Sequence, residues 1–514
     1  MKRILPVETH LHRTAASAFI ILLASCAPHT LQIFIDPATT PTATAEIPQY
    51  PSATEEPTIT ATPAEPAPTA TLAQPPAPDK SGWLLVETEQ GLWMARPDGG
   101  KSLLRIPGKV IIPGQLSDAI SPSGGLLAYI TTSDPSRTPF PFGSYPELKL
   151  HIISLPDGRQ LAEIPLTSPA TEPDPDSTSE IQRAMIEQAS FAWSPDGMRL
   201  AFIGAQEGPS ADLYEYYPES GEVVRLTDGP DQAYRPVWSP GGEWIVHGAA
   251  ERFSRVAGFG IDVSGFYAAR ADGSGVFSLY DVAAESGDEA VIGWLDGQTL
   301  VARSWLYTCG PSNVRLVDLS EQQVELAFEG CISGAAVGSG TVLFSQSSND
   351  AAFDADARLG IYRLTASDRT PRMISGENTL EIEWEEGIGA FLARPWGTRL
   401  LEVSTAGEIR ELPATAYIIP TVSPNGRWWA YISEWTYHRT DGIFAGGYGT
   451  ELRQIFDGEV AGNGMIFSPD GDSLYFVAKG GGLYQARAPE WAPILLATGL
   501  TPAHGWTDMA WWEE

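Results

Sequence analysis

The chain carries seven histidines and three cysteines, the side chains that most often hold a metal or serve as nucleophile and base. From residue 81 onward the histidines are His151, His247, His438 and His504, and none is paired at the H-E-x-x-H spacing that sets two imidazoles on one helical face. His247 sits in a strand pattern and is expected to be a packed or rim residue. No G-x-S-x-G raises a serine on a strand-to-helix elbow. Asp354-Ala355-Asp356 lacks the Gly and distal Glu of a calcium loop and reads as a solvated acidic stretch. No catalytic residue, metal or cofactor is therefore expected. What remains is recognition chemistry, in segments that mix Arg with aromatic residues, the types that dominate interface energy. These are Arg137, Phe140 and Tyr145; Arg252, Phe253 and Arg255; and Trp435, Tyr437, His438 and Arg439. The plain alternative is solvated loops packed by their own aromatics.

The elements that must position these residues follow from a recurring phrase: an apolar strand, Ser-Pro-x-Gly, then another apolar strand. It stands at Ser121, Ser194, Ser239, Ser423 and Ser468. The residue types are those of a type I turn: Ser bonds to the backbone, Pro fixes φ, Asp or Asn tolerates the third position, and Gly takes the fourth. Two of the spacings are 45 residues, and the 184 residues between Ser239 and Ser423 leave room for three worn copies. Those copies are found at Trp294-Leu295-Asp296-Gly297, Val337-Gly338-Ser339-Gly340 and Trp384-Glu385-Glu386-Gly387. A second turn phrase recurs between them, as at Pro156-Asp157-Gly158, Ser220-Gly221, Asp272-Gly273 and Ala406-Gly407. Four strands in a unit of about 45 residues is the arithmetic of a propeller blade.

These residues resemble the TolB-like, WD-related β-propellers, whose repeat runs strand, Ser-Pro-Asp-Gly, a Leu-Ala-Phe-like strand, then a strand ending in Asp-Gly. The resemblance covers roughly 81–514 and implies an all-β fold: one propeller of four-stranded blades, about eight, within a range of seven to nine. It implies little about function, because propellers carry unrelated activities. Counting gives nine units, and the copy near 336 is expected to be the incomplete one. The domain opens with strands that lack a first strand, and Thr507-Asp508-Met509-Ala510-Trp511-Trp512-Glu513-Glu514 supplies one at the other end, so the C-terminus is expected to complete the first blade and remove an open edge. A helix is expected only over 177–189, with Ser177-x-x-Glu180 as its capping box. Short turns fall on one face. The long connections 132–147, 168–187, 250–265, 346–358 and 434–448, which hold the Arg-aromatic residues, fall on the other, where binding usually resides.

Before the propeller, Lys2, Arg3 and Arg13 precede an apolar run of about ten residues, too short to span a bilayer. It ends in Leu23-Ala24-Ser25-Cys26, which resembles the bacterial lipobox. The resemblance implies cleavage after residue 25 and acylation of Cys26, with two or more chains giving stable anchoring. Residues 37–79 hold eleven Pro and ten Thr, with almost nothing to bury, so 26–80 reads as a lipidated cysteine followed by a disordered linker. The domain plan is therefore 1–25 signal peptide, 26–80 linker and 81–514 propeller. The 32 basic residues stand against 64 acidic ones, a net charge of −32, which repels a phosphate backbone and excludes nucleic acid as a partner. The membrane is then contacted through the N-terminal lipid only, on the extracytoplasmic side of a bacterial envelope. With Cys26 lipidated, Cys309 and Cys331 remain as an even pair in an oxidising compartment, and a disulfide between them is expected; the alternative is two buried thiols. The function these readings support is a non-catalytic module binding a protein or glycan of the cell envelope. Its rival is a carbohydrate-active enzyme, a polysaccharide lyase or hydrolase, working on the same propeller face.

Overall fold

The structure, a computed structural model, describes residues 82–513 apart from 97–100, 104–108, 113, 133–146, 169–174, 187–188, 254–260, 282–287, 306–311, 347–357, 396, 398, 414–417, 434–441 and 503–506. All the described strands lie in the unit Gln74–Glu514. They form nine four-stranded sheets, in each of which adjacent strands pair antiparallel. Blades are numbered here in chain order, each with its strands from the inside outward. Blade 1 joins Met509–Glu513 to Gly82–Thr88, Gly91–Ala95 and Lys101–Leu103. The inner strands of blades 2 to 9 are Lys109–Ile111, Phe191–Trp193, Gln232–Trp238, Asp288–Trp294, Ile332–Gly338, Thr379–Glu385, Thr421–Val422 and Val460–Phe467.

The turn residues fold as their types dictate. In all five Ser-Pro-x-Gly turns the Gly N–H donates to the Ser carbonyl at 2.7–2.9 Å. In four of them the Ser Oγ accepts the N–H five residues on, as from Arg199 to Ser194 at 2.9 Å. The turn glycines lie in the left-handed region, and Gly197 (φ +69°) is also crowded: a Cβ there would stand 2.5 Å from Ser121 Oγ of the preceding blade. Blades are stitched by tryptophans at the ends of inner strands. Trp193 Nε1 donates to the Ala119 carbonyl at 3.0 Å and Trp238 Nε1 to the Ala192 carbonyl at 2.9 Å. Apolar side chains fill the spaces between neighbouring blades; Phe328 of blade 5, for instance, packs against Phe344 and Tyr362 of blade 6.

The ring closes as expected: Met509–Glu513 pairs antiparallel with Gly82–Thr88, from Gly82↔Glu513 to Val86↔Met509. Three expectations need correction. The unit near 336 is a full blade, Ile332–Gly338, Thr341–Gln346, Gly360–Thr365 and Arg372–Ser375. Its worn sequence has a steric cause, since a Cβ on Gly338 would overlap the Trp384 ring of blade 7 at 1.9 Å. The helix runs Pro175–Ile186, so Ser177 lies inside it, and proline, which needs no amide donor, takes the first helical position. A four-residue helix, Leu116–Ala119, goes unsignalled in the sequence. Finally, most of 250–265 is strand, belonging to the ten-residue pair Trp244–Phe253 and Ile261–Arg270 of blade 4.

Candidate functional site

On the insertion-bearing side of blade 3, Arg225 ends the outer strand and gathers carboxylates from two connections. Its Nη2 lies 2.7 Å from Asp212 Oδ2 and 2.7 Å from Asp228 Oδ1, and its Nη1 3.8 Å from Glu207 Oε2. Asp212 is 1% exposed and also receives Thr227 Oγ1 at 3.1 Å and the Gly229 amide at 3.3 Å. Burial raises its pKa, an effect that Arg225 only partly offsets. In the same link as Asp228, Asp231 accepts Ser264 Oγ on its Oδ2 at 2.6 Å, tying the blade 3 to blade 4 link onto the blade 4 ribbon. The helix Pro175–Ile186 packs beside this network, contacting the two inner strands of blade 4 and the second strand of blade 3, with Ile181, Ala184 and Met185 buried. The result is a stiff platform beneath the connections, with Glu207 and Asp228 displayed to solvent.

The inner strand of blade 7 presents a different chemistry. Ile382 and Trp384 pack toward blade 6, so Glu381, Glu383 and Glu385 face blade 8, whose inner strand is only Thr421–Val422. Glu381 is held by Arg394 through two parallel bonds, Nε–Oε2 at 2.9 Å and Nη2–Oε1 at 2.8 Å. Glu383 and Glu385 have no basic partner among the described residues. Burial first, and the charge of Glu381 second, push Glu383 up to about 7. Burial and then the charge of Glu383 push Glu385 up to about 8, against the Val422 amide that bonds to it. The Glu383 side chain keeps access to solvent, and the atoms crowded around its carboxyl are what raise its pKa. Two carboxyls that exchange protons near neutrality are the raw material of acid–base chemistry.

The described histidines stand apart from both groups. His247 is 3% exposed, stacked on Tyr267 at 5.7 Å, and burial pushes it down to about 4; of the two placements expected, packed or at the rim, it is packed. His151 is likewise buried, stacked on Tyr129 at 5.0 Å, with Nε2 2.8 Å from Thr131 Oγ1.

Of the residues expected to bind, Arg137, Phe140, Tyr145, Arg255, Trp435, Tyr437, His438 and Arg439 lie outside the described residues, as do Cys26 and Cys309. Arg252 and Phe253 close the second strand of blade 4, on the insertion-bearing side, with only their backbone described. Cys331 is half-buried in the link from blade 5 to blade 6. The Arg225 network and the glutamate strand were not expected from the sequence. The latter had a signal, three Glu at alternate positions in Thr379-Leu380-Glu381-Ile382-Glu383-Trp384-Glu385, which is the pattern of a face that does not join the core.

No family model matches the chain. It is similar to the uncharacterized peptidase YuxL of Bacillus subtilis (strain 168), 52% identical over 54 residues, 10% of this chain. That match spans 8% of the relative's length. Among solved structures it is similar to a eukaryotic initiation factor, with a TM-score of 0.51 and 11% identity over 85% of this chain and 99% of that one. A putative TolB from Agrobacterium tumefaciens covers 49% of this chain and 80% of its own, with 20% identity and a TM-score of 0.27. At such identities the likeness concerns the fold alone: the chain is a β-propeller, and TolB-like propellers are among its structural neighbours.

Proposed function

We propose that the protein is a lipid-anchored, extracytoplasmic propeller that binds a protein or glycan of the bacterial cell envelope through its insertion-bearing face, without turning it over. The observation that carries this reading is the difference between the two faces. First-to-second and third-to-fourth turns are short and mostly pinned by glycine, whereas the opposite connections carry a helix, a ten-residue ribbon and the Arg-aromatic segments. The Leu-Ala-Ser-Cys motif at Cys26 supports the anchor. The test uses the full-length protein, expressed in a bacterial host and cosedimented with isolated envelope after detergent removal of lipid. Saturable binding that is lost when Arg252, Arg255, Trp435, Tyr437 and Arg439 are replaced together by alanine supports the proposal; undiminished binding overturns it. Cys26→Ala is expected to move the protein out of the detergent phase on phase partitioning, leaving envelope binding intact.

One observation favours a carbohydrate-active enzyme instead, namely the two carboxyls, Glu383 and Glu385, that titrate near neutrality. Release of reducing ends from acidic polysaccharides, abolished by Glu383→Gln or Glu385→Gln, would establish that reading in place of the first.

A further inference from the structure

The outermost strand of each blade leaves one row of backbone amides and carbonyls unpaired, and proteins guard such edges with charged side chains, Lys above all, with Pro or with bulges. Seven blades carry Lys, Arg or Pro there. Their outer strands contain Lys101, Pro165, Arg225, Arg372, Arg410, Arg453 and Pro493. The exceptions are the adjacent blades 4 and 5, whose outer strands Val276–Asp281 and Gln323–Gly330 touch each other. Gln323–Gly330, at eight residues, is the longest outer strand described; a bulge at Ala327 divides it, leaving Gln323–Leu326 as its regular stretch.

This edge is also apolar on one side. Val324 is 37% and Leu326 53% exposed. Val324 pairs with Val317 and Leu326 with Arg315, and the Arg315 guanidinium lies 5.0 Å from the Tyr280 ring of blade 4. Val324 and Leu326 therefore face the rim cleft toward blade 4. Glu325 pairs with Leu316, which packs toward blade 6, so it occupies the other face. Glu321, Glu325 and Glu329 are exposed, and no basic side chain belongs to the strand.

We infer that the outer edge of blade 5 is a strand-addition site for an extended peptide in which apolar and basic residues alternate. An added strand would satisfy the free backbone row, set apolar side chains against Val324 and Leu326, and set a Lys or Arg across from Glu325. Charge decides the occupant. A second copy would bring Glu against Glu between two chains that each carry −32, so the fitting partner is cationic. The surface lies on the outer rim, so the inference is independent of the binding face proposed above.

The test uses the full-length protein and a capped, fluorescein-labelled eight-residue peptide of alternating Lys and Val. The expected result is saturable binding that weakens with salt, with slowed amide exchange confined to 323–330. Methylating alternate backbone nitrogens of the peptide should weaken binding at least about tenfold. Val324→Lys with Leu326→Lys should do the same at an unchanged melting temperature, since both side chains are exposed. Equal binding of the methylated peptide or of the double variant would overturn the inference, as would protection elsewhere. Protection of 323–330 in a peptide-free dimer would also overturn it by making a second copy the occupant.

Discussion

Glu381, Glu383 and Glu385 share a strand face, but only Glu381 meets an arginine. That difference fixes a pH dependence. In the folded chain Glu383 and Glu385 keep their protons up to about 7 and about 8, whereas an unfolded chain releases them near the usual glutamate value of about 4.5. Across that interval unfolding releases protons, so rising pH favours the unfolded state. Their effect is thus a stability fully present below about pH 4.5, lost as pH rises through about 7 to 8, and constant above. Glu385→Gln keeps the shape and removes the charge. It is expected to raise the melting temperature at pH 9 and to leave it nearly unchanged at pH 5. Parallel melting curves for the variant and the parent at every pH would show that the two carboxyls ionise freely in the folded ring.

Between neighbouring blades the controlling fact is how closely inner strands approach. Gly338 ends the inner strand of blade 6 where blades 3 to 5 carry Trp, and the Trp384 ring of blade 7 occupies the space a side chain would need. Gly338→Ala is therefore expected to cost about 1–3 kcal/mol through overpacking, measured as a lower urea midpoint. An unchanged midpoint would mean that Trp384 has room to turn away. The same glycine explains where sequence reading stops. Ser-Pro-x-Gly turns are legible because each residue is required by the local backbone, whatever lies beside it. Gly338 answers to a tryptophan 46 positions away, and without that neighbour in view its blade reads as incomplete. Arg225 is of the same kind: a basic residue ending a strand reveals nothing until Asp212, from the start of the neighbouring strand, and Asp228 and Glu207, from separate connections, converge on it. The helix was legible in its buried stripe of Ile181, Ala184 and Met185 but not in its start, because Pro175 and Ser177 are both acceptable first-turn residues.

At the scale of the whole ring, stability depends on a joint made by five residues. The strand Met509–Glu513 pairs with Gly82–Thr88 to complete blade 1, and its two tryptophans reach outward in opposite directions. Trp511 Nε1 donates to the Phe467 carbonyl of blade 9 at 2.6 Å, and Trp512 Nε1 donates to the Gly124 carbonyl of blade 2. Thr507 Oγ1 adds a bond to the Glu87 carbonyl, and Asp508 Oδ2 accepts the Leu116 amide at 2.6 Å. One short segment thus ties three consecutive blades. Removing 507–514 would expose the Gly82–Thr88 edge along with Leu84 and Val86, both now 1% exposed or less, and would cut the ring between its first and last blades. Each strand elsewhere has only local partners, so an open array should lose cooperativity as well as stability, with blades 1 and 9 fraying first. The expected outcome is a lower, broader thermal transition, with amide exchange accelerated most at 82–95 and 460–497. Supplying the missing strand as a free peptide should partly restore both. A deletion variant that melts as sharply and as high as the parent would show that the closing strand covers an edge without holding the ring together.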